Sequence, residues 1–331
     1  MKLFLKYKNE FLGIFFSSAF FLICSLMLWN SHANNLEQLT NAAYGVIIGK
    51  PHWLAYQNRL LGPYSVLFIS KTGLSFVNSL LVFHFAALFI FIFLIYWLLK
   101  KEKISLIRNI ISLFIILFLF IYFQNYWFYT WDSVDMIIFT LFSYGIVKSL
   151  NVNYFLVLFF IAMLNRESAL FIGVYLILNS FDINIKTGVI KVFKNRGLFT
   201  GVTLLISGVA YIKFIRQKLF IAKPNGLLDT EHEIIGNHIN LISNLKELFY
   251  YNFFDSNIFV TIFILASLGY FFFNVNRMNS IQIKLFIMLT IIFSNILVFG
   301  QINETRMLFI LFPLILFLKL SFLRGINFQN S

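Results

Sequence analysis

Long apolar runs separated by short polar and mostly basic interruptions set the pattern of this chain. The runs cover residues 11–29, 75–99, 108–123, 135–148, 198–212, 257–273, 285–299 and 307–323. Several are long enough to cross a hydrocarbon core of about 30 Å as an α-helix. A shorter run at 64–71 is too brief to span and is expected at the interface. Residues 154–181 are apolar except for Asn165-Arg166-Glu167-Ser168 near the middle. One continuous helix there would bury an arginine and a glutamate near the bilayer centre, at about 2.5–3.5 kcal/mol each. It would also leave the basic stretch 182–197 outside. Two short helices with the polar cluster at their apex remove both objections. The pattern therefore predicts an all-α fold: a polytopic transmembrane helical bundle of about 10 membrane segments, including a short hairpin. It reads as a single integral-membrane domain with both termini cytoplasmic and outer loops at about 30–63 and 213–256. The first run exceeds the roughly 7–15 apolar residues of a signal peptide, so it is read as a retained helix rather than one cleaved near Ser31-His32-Ala33.

Composition sharpens this picture. Of 331 residues, 60% are hydrophobic and 12% charged, more apolar surface than an ordinary soluble domain keeps from water. A net charge of +13 would raise nucleic acid as a partner in a soluble protein. Here it is topological, and no nucleic acid is expected. The hairpin reading places 16 of the 26 basic residues on the inner side, against only Glu10, Glu102 and Asp182, as the positive-inside rule requires. It places Lys194 inside, Gly226 outside, and Trp29, Trp127 and Trp131 in an aromatic belt at the outer boundary. With Cys24 the only cysteine, no intrachain disulfide or zinc cluster can form. The 45 phenylalanines, with abundant isoleucine, asparagine and lysine, point to an AT-rich coding sequence, hence a bacterial inner (cytoplasmic) membrane.

Once oriented, most of the chemistry-bearing residues share the outer face. The first loop carries His32, Glu37, His52 and Arg59. Asp132 and Asp135 follow, then Arg166 and Glu167 at the hairpin apex. The long loop adds Asp229, Glu231, His232, Glu233 and His238, and the last loop Glu304 and Arg306. Plain structural roles exist for several. Asp132 and Asp135 form a helix-capping pattern, Glu304 and Arg306 suffice for one another, and the acids around His232 suit a solvated helix. His84, in mid-span, suits a hydrogen-bonded packing role. Arg59 lies in a largely apolar stretch, and an ionisable pair such as Arg166 and Glu167 inside an apolar run is a functional hypothesis by default. Arg59, Arg166 and Arg306 suit a phosphate-bearing ligand, which guanidinium binds in bidentate fashion. Asp132, Asp135, Glu304, His232 and His238 complete the expected substrate-binding set. A divalent cation is compatible with these acids, although no metal-ligand set is assigned.

Three stretches, Tyr56-Gln57-Asn58-Arg59-Leu60-Leu61-Gly62-Pro63, Asn165-Arg166-Glu167-Ser168, and Glu304-Thr305-Arg306 with Pro313 beyond, resemble those of bacterial GT-C-type membrane glycosyltransferases. The resemblance implies sugar transfer from a polyprenyl-linked donor to a glycan or lipid acceptor at the extracytoplasmic face, in cell-surface polysaccharide or glycolipid assembly. It also implies a catalytic acid early in the first outer loop, where Glu37 is the only acid. Glu37 and Glu167 are therefore the expected catalytic carboxylates. An O-antigen or capsule repeat-unit polymerase shares the span count, outer arginines and long outer loop. Ligases of related type use a loop histidine, for which His232 or His238 would stand. A lipid or polysaccharide flippase would do no covalent chemistry. Internal repeats and midplane sites mark many transporters; no repeat is visible here, and the interrupted hairpin is the feature that favours a flippase.

Overall fold

A computed structural model describes residues 2–51, 56, 58–123, 128–184, 189–192, 195–218, 239–247, 257–302 and 304–324. Gly226, Lys194, His52, Trp127 and the histidine-bearing part of the long loop lie outside these residues, and so does the side chain of His32.

The chain is overwhelmingly helical. In order it forms α1 (Lys2–Ala33), α2 (Leu36–Ile47), α3 (Leu61–Ser70), α4 (Phe76–Lys101), α5 (Leu106–Phe123), α6 (Thr130–Val147), α7 (Val152–Met163) and α8 (Leu170–Asn179). A short hairpin of β1 (Phe181–Asn184) and β2 (Val189–Val192) leads to α9 (Asn195–Lys218), α10 (Leu241–Lys246), α11 (Asn257–Phe273), α12 (Ser280–Phe299) and α13 (Leu311–Arg324). Polar residues start the helices as local chemistry requires. The Ser75 hydroxyl accepts from the Asn78 amide, and Asn151 accepts from Tyr154. Asn279 and Gln282 cap α12 reciprocally.

Among the described residues four segments are long and apolar enough to cross a membrane: Lys8–Asn30, Phe76–Lys101, Arg196–Ile215 and Ser280–Phe299. At about 1.5 Å per residue each spans roughly 30 Å or more. Shorter apolar helices, Leu61–Ser70, Leu106–Ile116, Val152–Met163, Glu167–Asn179 and Ile262–Phe273, accompany them. Large apolar side chains face outward on α1 (Phe15, Leu26), α9 (Phe199, Ile206) and α11 (Phe272, Phe273). Such bands are costly in water and suited to lipid.

At the centre, α6 packs between α4 and α13. Ile92, Ile95, Phe139, Phe142, Leu314 and Leu318 are buried there. The two ends of α6 lie about 27 Å apart and differ in chemistry. At its C-terminal end Lys148 pairs with Glu102 at 2.9 Å, and Lys100 pairs with Glu10 nearby. At its N-terminal end sit Asp132 and Asp135.

The interrupted run at 154–181 is two short helices, α7 and α8, with a 3-10 turn (Glu167–Ala169) after the apex, as its polar cluster predicts. Three other expectations are corrected. The first loop is not simply polar coil, because α2 buries Leu39, Ala42, Ala43 and Val46 on one face; its apolar residues recur at helical spacing. The fourth long run begins at Thr130 rather than 135, which takes Asp132 into a helix. The basic stretch after α8 folds back as a β-hairpin pairing Phe181 with Val192 and Asn184 with Val189. The long loop also contains the short α10, whose Asn244 side chain donates to the carbonyls of Leu297 and Gly300 and accepts from the Ile302 amide.

Candidate active site

The first turn of α6 supplies the acids. Asp132 and Asp135, three residues apart, project from one face of the helix. Asp132 Oδ2 accepts from the Tyr129 amide at 3.0 Å, so the capping role holds. It is only part of the story.

The apex after α7 brings the cations and amides. Arg166 Nη1 lies 3.2 Å from Asp132 Oδ1 and 3.3 Å from Asp135 Oδ2. Asn165, fully buried, donates to Asp135 Oδ1 at 2.8 Å and to the Trp131 carbonyl at 2.9 Å. The Ser168 hydroxyl donates to Asp135 Oδ1 at 3.3 Å. A 3-10 turn (Thr305–Ile310) ahead of α13 carries Arg306. Its Nη1 is 3.3 Å from Asp132 Oδ2, and its Nη2 donates to Glu304 Oε2 at 2.7 Å. Glu304 and Arg306 do satisfy one another, but Asp132 joins them to Arg166.

The stretch around Arg59 docks onto this network through backbone. The Leu60 and Leu61 amides both donate to the Leu164 carbonyl, at 2.8 and 2.7 Å. Gly62 permits the approach, since a Cβ there would stand 2.7 Å from the Thr130 side chain. Arg59 then lies over two aromatic faces, 4.6 Å from the Tyr56 ring centroid and 4.8 Å from that of Trp131. Trp131 stacks on Tyr129 at 4.7 Å, and Arg306 lies 4.5 Å from the Tyr129 centroid. Trp131 is wholly buried, which corrects its expected place in an aromatic belt. It is a floor for the site because two arginines and two tyrosines cover its neighbourhood. Trp29, about half exposed, remains compatible with a belt.

The three arginines differ electrostatically. Burial opposes the charge of Arg166, but Asp135 and Asp132 outweigh it and hold its pKa above the ordinary value. Burial, reinforced by the Arg166 charge beside it, lowers Arg59 to about 10. Among the described residues no carboxylate forms an ion pair with Arg59, and its Nε has no hydrogen-bond partner. Around it, both amide atoms of Asn58, Thr130 Oγ1 and Trp131 Nε1 are likewise buried without partners among the described residues. The centre thus brings three guanidiniums, Arg59, Arg166 and Arg306, to two buried carboxylates, Asp132 and Asp135, with Glu304 paired to Arg306 and the Glu167 charge favouring Arg59. Glu167 and Glu304 stand at its partly exposed rim. A centre with one guanidinium outside any described ion pair and with orphaned buried donors around it is chemically fitted to an anion.

Glu37 is exposed on α2, and the structure gives it no contact with the network. His232 and His238 lie outside the described residues. His84 is a buried packing residue whose Nδ1 is 2.9 Å from the Ser133 hydroxyl. Among the described residues no three His, Cys, Asp or Glu side chains are grouped to hold a metal ion. Tyr56, Asn58 and Asn165 lie inside the motif stretches, where the sequence gives them no role, and Tyr129 and Trp131 are not assigned to the site by it; the aromatic run 126–131 is the visible signal for these last two. No family model, curated protein or solved structure matches the chain.

Proposed function

We propose that this chain is a membrane glycosyltransferase that takes a sugar from a polyprenyl-linked donor, at the extracytoplasmic face, for cell-surface polysaccharide or glycolipid assembly. The observation that carries the reading is Arg59, a buried guanidinium over two aromatic rings that forms no ion pair with a described carboxylate. An isolated buried charge is costly, and a phosphate that arrives with the donor offsets that cost only when bound. Arg166 and Arg306, held by Asp132, stand ready for the second charge of a pyrophosphate. In the transfer, an acceptor hydroxyl attacks the anomeric carbon, the bond from that carbon to the phosphate oxygen breaks, and the phosphate keeps the electron pair. The hydroxyl proton goes to a carboxylate. This role is assigned to Glu37, in the first outer loop, or to Glu167, at the hairpin apex beside Arg166.

About ten membrane segments, cytoplasmic termini and an inner (cytoplasmic) membrane location complete the reading. Its support is the chemical asymmetry of the bundle, with Lys100, Lys101, Lys103 and Lys148 at one end of α4 and α6 and the arginine–aspartate network at the other. In a Cys24→Ala background, Glu37→Cys should react with an impermeant thiol reagent in intact cells and Lys103→Cys only after lysis. The opposite pattern turns the site inward and ends the proposal.

The activity itself is tested by deleting the gene and analysing lipid-linked intermediates. An undecorated acceptor with accumulated polyprenyl-linked monosaccharide is the expected result. Unpolymerised repeat units would instead identify a polymerase. Movement of labelled lipid across vesicles by the purified protein, without product, would identify a flippase.

A further inference from the structure

A second feature lies away from the arginine–aspartate network. A cavity of about 250 Å³ opens between α5, α11 and α13. Its walls are apolar, with Ile115, Phe263 and Phe312 among them, and Ser112 is a polar residue within. Arg108, in the first turn of α5, and Lys319, in the second half of α13, both exposed, stand at one end. From Arg108 to Ile116 the cavity follows about 12 Å of helix. Its cationic end is the Lys100 end of the bundle, because α5 follows the turn that closes α4. Among the described residues no carboxylate pairs with Arg108 or Lys319; Glu10 and Glu102 are engaged by Lys100 and Lys148.

We propose that this cavity binds an anionic phospholipid of the leaflet on that side, with one acyl chain along the apolar walls and the phosphate between Arg108 and Lys319. A purely apolar groove would accept any tail. Two cations without an ion-pair partner among the described residues, at its headgroup end, select a negative head, as basic pockets between membrane helices do. Ser112 gives the glycerol region a hydroxyl to bond. The proposal does not rest on the sugar-transfer reading, since the carrier lipid of that reaction places its phosphate at the opposite end of the bundle.

Native mass spectrometry of the full-length, delipidated protein titrated with phosphatidylglycerol or phosphatidylcholine tests it. One phosphatidylglycerol should bind preferentially, and neutralising Arg108→Gln and Lys319→Gln should each weaken it about fivefold. The control Lys101→Gln with Lys103→Gln removes twice the charge of either single substitution from the same face and should leave that binding unchanged. Ile115→Trp, which fills the groove, should reduce occupancy by both lipids. Circular dichroism melts confirm that each variant is folded. Equal binding of the two lipids, or an equal loss in the control, would reduce the site to surface attraction and overturn the proposal. Displacement by glycerol 3-phosphate alone would make it a free-anion site, and displacement by equimolar polyprenyl phosphate would hand the cavity to the carrier; either result overturns it.

Discussion

Arg59→Gln is expected to abolish sugar transfer while leaving the protein as stable as before, or more so. Most buried arginines cannot be neutralised this way, because a carboxylate is left behind uncompensated. Arg59 forms no ion pair among the described residues, and burial lowers its pKa although the Glu167 and Asp132 charges favour its charged form. Glutamine removes the cost of burying that charge and keeps polar atoms near Asn58 and Trp131. Loss of the phosphate partner should lower turnover by about 10²–10³-fold, the usual effect of deleting a fixed donor to developing charge. Arg59→Lys retains the charge but loses the planar fork and the stacking on Tyr56 and Trp131, so most of the loss should persist. Complementation of a deletion strain reads the activity, and a detergent melting curve reads the stability. A fully active Arg59→Gln protein would remove the anion site from the proposal. A protein that melts early would make Arg59 a structural residue.

Asp132→Asn should have the contrary profile, with folding as its first casualty. Asp132 bridges Arg166 and Arg306 and accepts from the Tyr129 amide, with its side chain only 2% exposed. Asparagine preserves the acceptor for the cap but leaves Arg166 with Asp135 and Arg306 with Glu304, each having lost its bridge through Asp132. Leaving buried charge uncompensated costs about 3–5 kcal/mol, enough to lower yield and melting temperature sharply. Adding Arg306→Gln to Asp132→Asn removes the guanidinium left half-compensated by Glu304 and should recover part of the loss. The coupling in that double-mutant cycle is expected at about 1–3 kcal/mol. Strict additivity of the two substitutions would mean that the Asp132–Arg306 contact carries no energy, and the network would lose its centre.

The helical membrane architecture was legible in the order of residues. Run length and apolarity are local properties, and a bilayer admits few ways to satisfy a backbone. The split of 154–181 was legible for the same reason, since Arg166 and Glu167 are too costly at mid-depth and terminate the run. Run-length reasoning placed the start of α6 too late and missed α2. A short amphipathic helix has half its face polar, and cap positions are set by side-chain geometry rather than hydropathy.

Pairing was not legible. Asp132 meets Arg166 across 34 residues and Arg306 across 174, and no local pattern encodes either contact. Charge alone could group the acids and arginines on one face, but could not show that two of the three arginines are ion-paired among the described residues and Arg59 is not. Trp131 illustrates the same division. Hydropathy puts a tryptophan at the end of a span in the interface, whereas packing of the 56–63 stretch against the α7–α8 apex closes over it. Local sequence determines which segments leave water. Which buried charge is left to seek a ligand depends on neighbours distant in the chain, and only the tertiary structure decided it.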